Sequence, residues 1–382
     1  MKENNMKTIK VGLIGTGYMG KAHAIALRSV PAVFPLSARV ECEMLAEVNS
    51  QLAAEKALEF GFNRSTGDWR ELVNDPDIDV VDICSPNYLH KEMALAAIAA
   101  GKHVYSEKPL ALNASDALEM TLAAEKAGVK TLVGFNYAKN PASQLAKEII
   151  ANGEIGEIVH FRGTHNEDYL ADPQAPFSWR LKREYSGSGT LGDMGSHIIN
   201  MAQYLVGDIS AVNGDLQTVI TKRPILGKPG EFGIVENEDQ AHAMIRFANG
   251  AIGTIESSRI ACGRKMGLTY VVTGTKGTII FDQERLAELK LFIRGENTAR
   301  EGFKTILIGP EHPDYKHFCI SAGHGLGYND QKIVEVRDLI QGIANDTKIW
   351  PDFRAAYEVN LVVDSIEESH NLGQWINIKA SS

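Results

Sequence analysis

The chain has 382 residues, is 44% hydrophobic and 23% charged, and carries a formal net charge of −9. That composition is ordinary for a globular protein long enough for two cored domains, and the acidic balance argues against nucleic acid or an anionic membrane as partner. Cys42, Cys84, Cys262 and Cys319 lie far apart without a C-x-x-C pair, a pattern of neither a zinc site nor a disulfide framework.

Residues 1–10 are polar and lack the apolar core of a signal peptide. No apolar stretch approaches the ~18–20 residues that span a bilayer. A cytoplasmic protein without a membrane partner is expected.

From residue 8 to 135, strand and helix signals alternate as in a parallel sheet with crossover helices. A strand at 9–14 runs into Gly15-Thr16-Gly17-Tyr18-Met19-Gly20, a G-x-G-x-x-G opening a helix. In that setting Gly15 serves the turn, Gly17 the close approach of phosphates and Gly20 the packing of helix on strand. The backbone amides and dipole at the helix start make an anion site for a pyrophosphate. Taken alone, the spacing also arises by chance in a chain with 35 glycines.

A second strand at 43–48 contains Glu47, about 30 residues beyond Gly15. A carboxylate there accepts from ribose hydroxyls and repels a 2′-phosphate, and no Arg or Lys follows between 48 and 55. NAD is therefore expected in preference to NADP. A helix at 51–60 ends at Gly61, and a strand at 79–85 stops at Pro86. Ser85, Asn87 and His90 follow at the carboxyl end of that strand, where open α/β sheets bind ligands; Ser85 and Asn87 are equally candidates for helix capping. After a helix at 89–100 and a strand at 103–106 comes Glu107-Lys108-Pro109, whose lysine can hydrogen-bond a reacting oxygen or transfer a proton. A helix at 114–127 and a strand at 131–135 complete the set.

Beyond residue 140 the texture changes. A helix at 144–151 precedes strands at 155–164, 209–221, 238–247, 250–261, 268–274 and 277–281, several spaced for antiparallel hairpins. Residues 222–233 are Pro- and Gly-rich and read as a surface loop, and 310–327 as a long irregular stretch. The fold class is thus an α/β N-terminal Rossmann domain over 1–138, a doubly wound parallel sheet. An α+β C-terminal domain over 139–382 follows, with a large open mixed, mostly antiparallel sheet.

Within that second part, Gly187 to Gly195 introduce a helical segment carrying Asp193 and His197, four residues apart on one helix face. A histidine oriented by a carboxylate is equipment for a general base; the structural alternative is an acidic residue at a helix start beside a core histidine. No third ligand stands at a metal-site spacing, so no metal is expected. His165 and Asp168 end a strand that could edge a pocket. Trp179 and Arg180 offer an aromatic face and a guanidinium, with simple packing as the other reading.

With these pieces in order, the chain resembles the Gfo/Idh/MocA family of glucose–fructose oxidoreductase, inositol dehydrogenase and rhizopine-catabolism proteins. The resemblance spans nearly the whole chain. It rests on Gly15–Gly20, the stretch from Asp68 through Asp82 to Ile83, Ser85-Pro-Asn with His90, residues 100–111 around Glu107-Lys108-Pro109, Gly134-Phe-Asn-Tyr137, and Gly192-Asp193-x-Gly195-x-His197. Family members commonly have Thr in place of Ser85 and Asp in place of Glu47; both changes keep the hydrogen-bonding role.

The resemblance implies an NAD(P)-dependent oxidoreductase moving hydride between nicotinamide and a ring secondary alcohol. It implies Lys108, Asp193 and His197 as the catalytic group, with Lys108, Tyr137, His165, Asp168, Trp179, Arg180, Asp193 and His197 around the substrate. It places the cofactor on Gly15, Thr16, Gly17, Tyr18, Met19, Gly20, Glu47, Ser85, Asn87, His90, Glu107 and Lys108. It further implies a homodimer or homotetramer through the C-terminal sheet. Within the family the chain is similar first to the levoglucosan dehydrogenase group and next to inositol dehydrogenases, which points to a sugar, anhydrosugar or cyclic polyol substrate. A nucleotide-binding sensor without catalysis is the alternative of a different class, and the presence of Lys108, Asp193 and His197 together speaks against it.

Overall fold

Six short apolar runs build a parallel sheet in the computed structural model, which describes residues 6–295 and 298–379. The strands are β1 (Thr8–Ile14), β2 (Arg39–Ala46), β3 (Arg64–Thr66), β4 (Val80–Ile83), β5 (His103–Ser106) and β6 (Thr131–Val133). Their spatial order is β3-β2-β1-β4-β5-β6. The crossovers carry α1 (Tyr18–Val33), α2 (Ser50–Phe60), α3 (Trp69–Asn74), α4 (His90–Ala99) and α5 (Ala114–Ala127).

β1 is buried on both faces, as a central strand between helical layers must be. A Cβ at Gly12 would come within 2.6 Å of Leu72, so α3 lies directly on the strand. Asn49 caps α2 by accepting from Leu52 N–H at 2.8 Å, and Gly61 ends it at φ 76, where a side chain would be strained. The strand order reverses between β1 and β4, the switch point at which such sheets bind ligands.

This first unit covers residues up to Ala111, Ser115–Lys139 and, from far downstream, Gly327–Tyr357. The helix Tyr328–Ala344 lies beside α1, with Arg337 over the Phe34 ring at 4.7 Å and Gln341 donating to Pro35 O at 3.0 Å. That return has no counterpart in the sequence division at 138/139. The ends of the two expected domains, 1–5 and 380–382, lie outside the described residues.

The second unit holds a nine-stranded sheet and a separate ribbon. Its strands are β7 (Ile158–Asn166), β8 (Ile209–Gln217), β11 (Gln240–Phe247), β12 (Ile252–Ser258), β13 (Gly267–Gly274), β14 (Gly277–Asp282), β15 (Glu288–Ile293), β16 (Lys304–Leu307) and β17 (Ile376–Asn377), while β9 (Lys222–Pro224) and β10 (Phe232–Ile234) pair as the ribbon. The order is β16-β15-β14-β13-β7-β12-β11-β8-β17, and among the described residues only β7 and β12 run parallel. The helix Ser196–Leu205 covers one face; a Cβ at Gly163 on β7 would meet Ile198 at 2.5 Å. Along β11 buried and exposed residues alternate, so the opposite face is open in the single chain.

Two expectations change and one, the irregular stretch, is kept. The stretch 222–233, expected as a loop, contains β9 and begins β10; Pro224 and the glycines hide three-residue strands that form a ribbon rather than join the large sheet. Residues 310–327 are irregular except for one helical turn at Tyr315–Phe318, and Tyr315 pins them by donating to Ser321 O and His324 O. The strands expected at 209–221, 238–247 and 250–261 are shorter than drawn. Among the described residues no helix is long and apolar enough to cross a membrane.

Candidate active site

In the first unit the glycine turn joins β1 to α1 at the switch point. Gly15 has φ 93, and a Cβ there would stand 2.7 Å from Cys84 O, so the turn fits only glycine against the end of β4. A Cβ at Gly20 would meet Gly15 O at 2.1 Å. Around Gly17, by contrast, a Cβ would meet nothing within 4 Å. Gly17 is also the N-cap of α1 and provides no side-chain cap. The open space and the uncapped first turn fit the pyrophosphate of a dinucleotide.

Glu47 follows β2 and closes the loop. Its Oε1 accepts from Thr16 N at 2.9 Å and Thr16 Oγ1 at 2.6 Å, and its Oε2 accepts from Val48 N at 2.8 Å. A carboxylate offers about four acceptor positions, so capacity remains for ribose hydroxyls. Tyr18 stays 74% exposed at the start of α1, and its ring lies 5.9 Å from that of Tyr328. Tyr328 meets the Tyr137 ring edge-on at 6.3 Å, and its hydroxyl reaches the Met19 sulfur at 3.2 Å. Tyr328 was missing from the expected site residues, although Gly327-Tyr328 is a visible helix start.

Past β4, the chain enters α4 through a 3-10 turn at Asn87–Leu89, and neither that turn nor the helix has a side-chain cap. The N-cap positions of the turn and the helix are held by Pro86 and Leu89, not by Ser85 or Asn87. His90 is buried, with Nδ1 against Pro109 O and Nε2 against Ser85 O, both at 2.9 Å. Burial lowers its pKa. Its ring nitrogens are thus occupied in tying the Ser85 turn to Pro109, and a cofactor contact through them does not fit. The Lys108–Pro109 peptide is cis.

Glu107 likewise turns inward. Its Oε1 accepts from Lys332 Nζ at 2.6 Å and faces His23 Nε2 at 3.0 Å, while Oε2 accepts from the Lys108 backbone N–H at 3.1 Å. Against the effect of burial, Lys332 and His23 hold its carboxyl far below the ordinary carboxylate range. The network continues through His23 Nδ1 to Asp82 at 2.8 Å, Lys332 to Glu335 at 3.0 Å, and Tyr105 OH to Glu335 at 2.7 Å. His23 also stacks on Tyr105 at 4.4 Å. His23, Asp82 and Cys84 bring ligand-type atoms within 4.8 Å, but both imidazole nitrogens already face carboxylates. Glu107 is therefore a buried partner of Lys332 that fixes the backbone carrying Lys108.

In the second unit, Asp193 and His197 are carried differently from the expected regular helix. Leu191–Gly195 form a π-turn that passes into the helix Ser196–Leu205, so the two side chains are offset from simple i, i+4 stacking. A Cβ at Gly189 would come within 2.2 Å of Glu238 O. Glu238 itself accepts from Leu191 N–H at 2.9 Å, filling the role at the helix start that the structural reading gave to Asp193. Tyr169 OH donates to Asp193 Oδ2 at 3.0 Å. His197 is buried, with the His165 ring 5.6 Å away. His165 is held by Met194 O at 3.0 Å and Glu167 at 3.2 Å.

Asp168 points elsewhere. It pairs with Lys265 at 2.6 Å and accepts from Gly263 N–H at 3.1 Å, and these two bonds, Lys265 first, lower its pKa. The hydrogen bonds of that carboxylate go to the turn, while its neighbour Tyr169 is the residue bonded to Asp193. Trp179 and Arg180 lie in a 3-10 turn, with the guanidinium 4.5 Å over the indole and Arg180 O accepting from Asn237 at 2.9 Å. The expected catalytic residues thus divide: Lys108 belongs to the first unit, Asp193 and His197 to the second.

Comparison with known proteins covers both units. Residues 9–135 match the oxidoreductase family with an NAD-binding Rossmann fold, and residues 143–280 match the GFO/IDH/MocA C-terminal domain. The chain is 43% identical to levoglucosan dehydrogenase of Pseudarthrobacter phenanthrenivorans, across 98% of this chain and 99% of that one. It is 32% identical to myo-inositol 2-dehydrogenase of Thermotoga maritima, across 72% and 76%. A solved levoglucosan dehydrogenase in complex with NADH and levoglucosan superposes with a TM-score of 0.95 at 43% identity, covering 98% of this chain and 100% of that one.

Proposed function

Because the chain belongs to the GFO/IDH/MocA oxidoreductase family, we propose that it is an NAD-dependent dehydrogenase of a ring secondary alcohol, with levoglucosan or a related pyranose as substrate. The observation that carries this reading is Asp193 on a π-turn that runs into the helix carrying His197, in a chain whose glycine turn leaves a helix start open to a dinucleotide. Identity to the levoglucosan enzyme across almost the whole chain supports the anhydrosugar class ahead of the inositols. Comparing kcat/KM for levoglucosan with those for myo- and scyllo-inositol tests that order; faster oxidation of an inositol reverses it.

NAD, when bound, supplies the hydride acceptor. His197 takes the proton of the reacting hydroxyl, and Lys108 donates a hydrogen bond to the oxygen as it gains alkoxide charge. Asp193 orients a neighbouring substrate hydroxyl. Ser85, Asn87 and the loop Thr16–Met19 contact the cofactor, while His90 and Glu107 hold the backbone around Lys108. The proposed setting is the cytoplasm.

Glu47→Ala is expected to weaken NAD binding about tenfold, the loss of hydrogen bonds to a charged group, and to relax discrimination against NADP. Titration of both coenzymes followed by fluorescence measures it. A wild-type preference for NADP would contradict the assignment of Glu47.

The open face of the large sheet suits a second copy of the chain. Across it, Met244, Thr254, Arg162, Val271 and Ile280 stand in register on adjacent strands. Met244 and Ile252 are 50% and 57% exposed. Light scattering is expected to give two or four times the 41.7 kDa chain mass, and Met244→Asp to lower it; a monomer at all concentrations overturns the dimer or tetramer.

A further inference from the structure

The loop after β7 is held more firmly than a surface turn requires. Glu167 N–H donates to Ser258 O at 2.8 Å, Asp168 N–H to Arg264 O at 2.9 Å, and Leu170 N–H to Arg259 O at 3.0 Å. From inside, the fully buried Arg223 donates to Leu170 O at 2.6 Å and Asp172 O at 2.8 Å. Arg259 is also buried, bound to Asp239 at 2.9 Å and Asn237 Oδ1 at 3.0 Å. Buried guanidiniums are costly unless their bonds are used. The Arg223 guanidinium and the Arg259 carbonyl hold the residues that follow Tyr169, and the Arg264 carbonyl holds Asp168 before it.

Tyr169 is 43% exposed, yet its hydroxyl donates to Asp193 Oδ2 at 3.0 Å. Desolvation of that hydroxyl and the neighbouring Asp193 carboxylate raise its pKa well above the ordinary tyrosine value, so the phenol remains a donor. An open aromatic ring, oriented through its own hydroxyl and presented by an immobilised loop, is built to receive a rigid ligand. The C–H face of a pyranose or bicyclic anhydrosugar is such a surface, apolar and flat against a ring.

We propose that Tyr169 is both the platform on which the sugar ring rests and the positioning residue for Asp193. The ring supplies binding area, and the hydroxyl holds the carboxylate in the orientation that meets a substrate hydroxyl. This assignment rests on the reading of the site as one for a sugar. It gives the buried Arg223 a task, since a displaced loop would misplace ring and carboxylate together.

The test compares wild type, Tyr169→Phe and Tyr169→Ala in NADH formation from levoglucosan, alongside calorimetric titration of levoglucosan into the NADH-bound proteins. Tyr169→Phe removes only the hydroxyl, and kcat is expected to fall about tenfold or more, within the range for a hydrogen bond to a charged group, with KM near wild type. Tyr169→Ala also removes the platform, and KM and the calorimetric Kd are expected to rise about tenfold further. Wild-type kcat in the Phe variant, or unchanged Kd in the Ala variant, overturns the assignment. If wild type binds levoglucosan without forming NADH, the functional reading fails, and a weakened Kd in Tyr169→Ala still establishes the platform. Absence of binding in wild type overturns both.

Discussion

Replacing His197 or Lys108 with alanine is expected to lower kcat by about 10²–10⁴-fold, the usual worth of positioned acid–base catalysis, while NAD binding stays near wild type. The two variants act on different parts of one step. In the proposed reaction His197 is the acceptor of the hydroxyl proton and Lys108 the charged donor to the developing alkoxide. Neither side chain belongs to the glycine turn or to the Glu47 contact, so coenzyme affinity is the internal control for His197→Ala and, for Lys108→Ala, reads any part that Lys108 plays in holding the cofactor. Steady-state rates together with NADH fluorescence titration separate the two quantities. A loss of only a few-fold in either variant would remove that residue from the proposed catalytic group.

Lys332→Met is expected to destabilise the protein by about 3–5 kcal/mol, the cost of breaking a buried ion pair from one side. Lys332 is fully buried and bonded to both Glu107 and Glu335. Removing it leaves Glu107 with His23 as its remaining cationic partner. The pH dependence follows from the direction of each shift. Glu107 has a depressed carboxyl, so its contribution to stability is present above the unfolded value of about 4.3 and fades as pH falls through the folded one. His23 is raised despite its burial, chiefly by Asp82, so its contribution is present below about 6.5 and is lost as pH rises through its folded value. In the variant the Glu107 carboxyl rises toward its unfolded value, so its contribution shrinks and less stability is lost through this group on acidification. Urea unfolding from mildly acid to mildly alkaline solution measures both effects; equal stability of variant and wild type at neutral pH would contradict the network's role.

The parallel sheet was legible because its strands are short apolar runs and the helices between them end at Gly61, Gly101 and Gly128, each in a positive-φ conformation. β5 and α5 fall on the expected residues, whereas β3 has only three residues and leaves no periodic trace. The helix Tyr328–Ala344 was overlooked for a different reason. Its buried face carries Gln331, Lys332 and Glu335, so the apolar period that announces a helix is interrupted where the ion network enters. At the site, the G-x-G-x-x-G turn and Glu47 were readable from residue type and spacing. The inward turn of Glu107 was not, because its partner Lys332 lies 225 residues away. Tyr169 and Glu238 were missed because a single tyrosine after a strand, or an acid in a later strand, carries no local signal; each gains meaning only once Asp193 and Leu191 are brought against it.

Oxidation of a ring alcohol with reduction of NAD is read directly from NADH absorbance on mixing the full chain with NAD and levoglucosan. Substrate-dependent NADH formation is expected, one equivalent per alcohol oxidised, faster than with either inositol and lowered about 100-fold or more by His197→Ala. Bound NAD with no NADH formed from levoglucosan, glucose, glucosides or the inositols would contradict it and leave a nucleotide-binding protein without this chemistry.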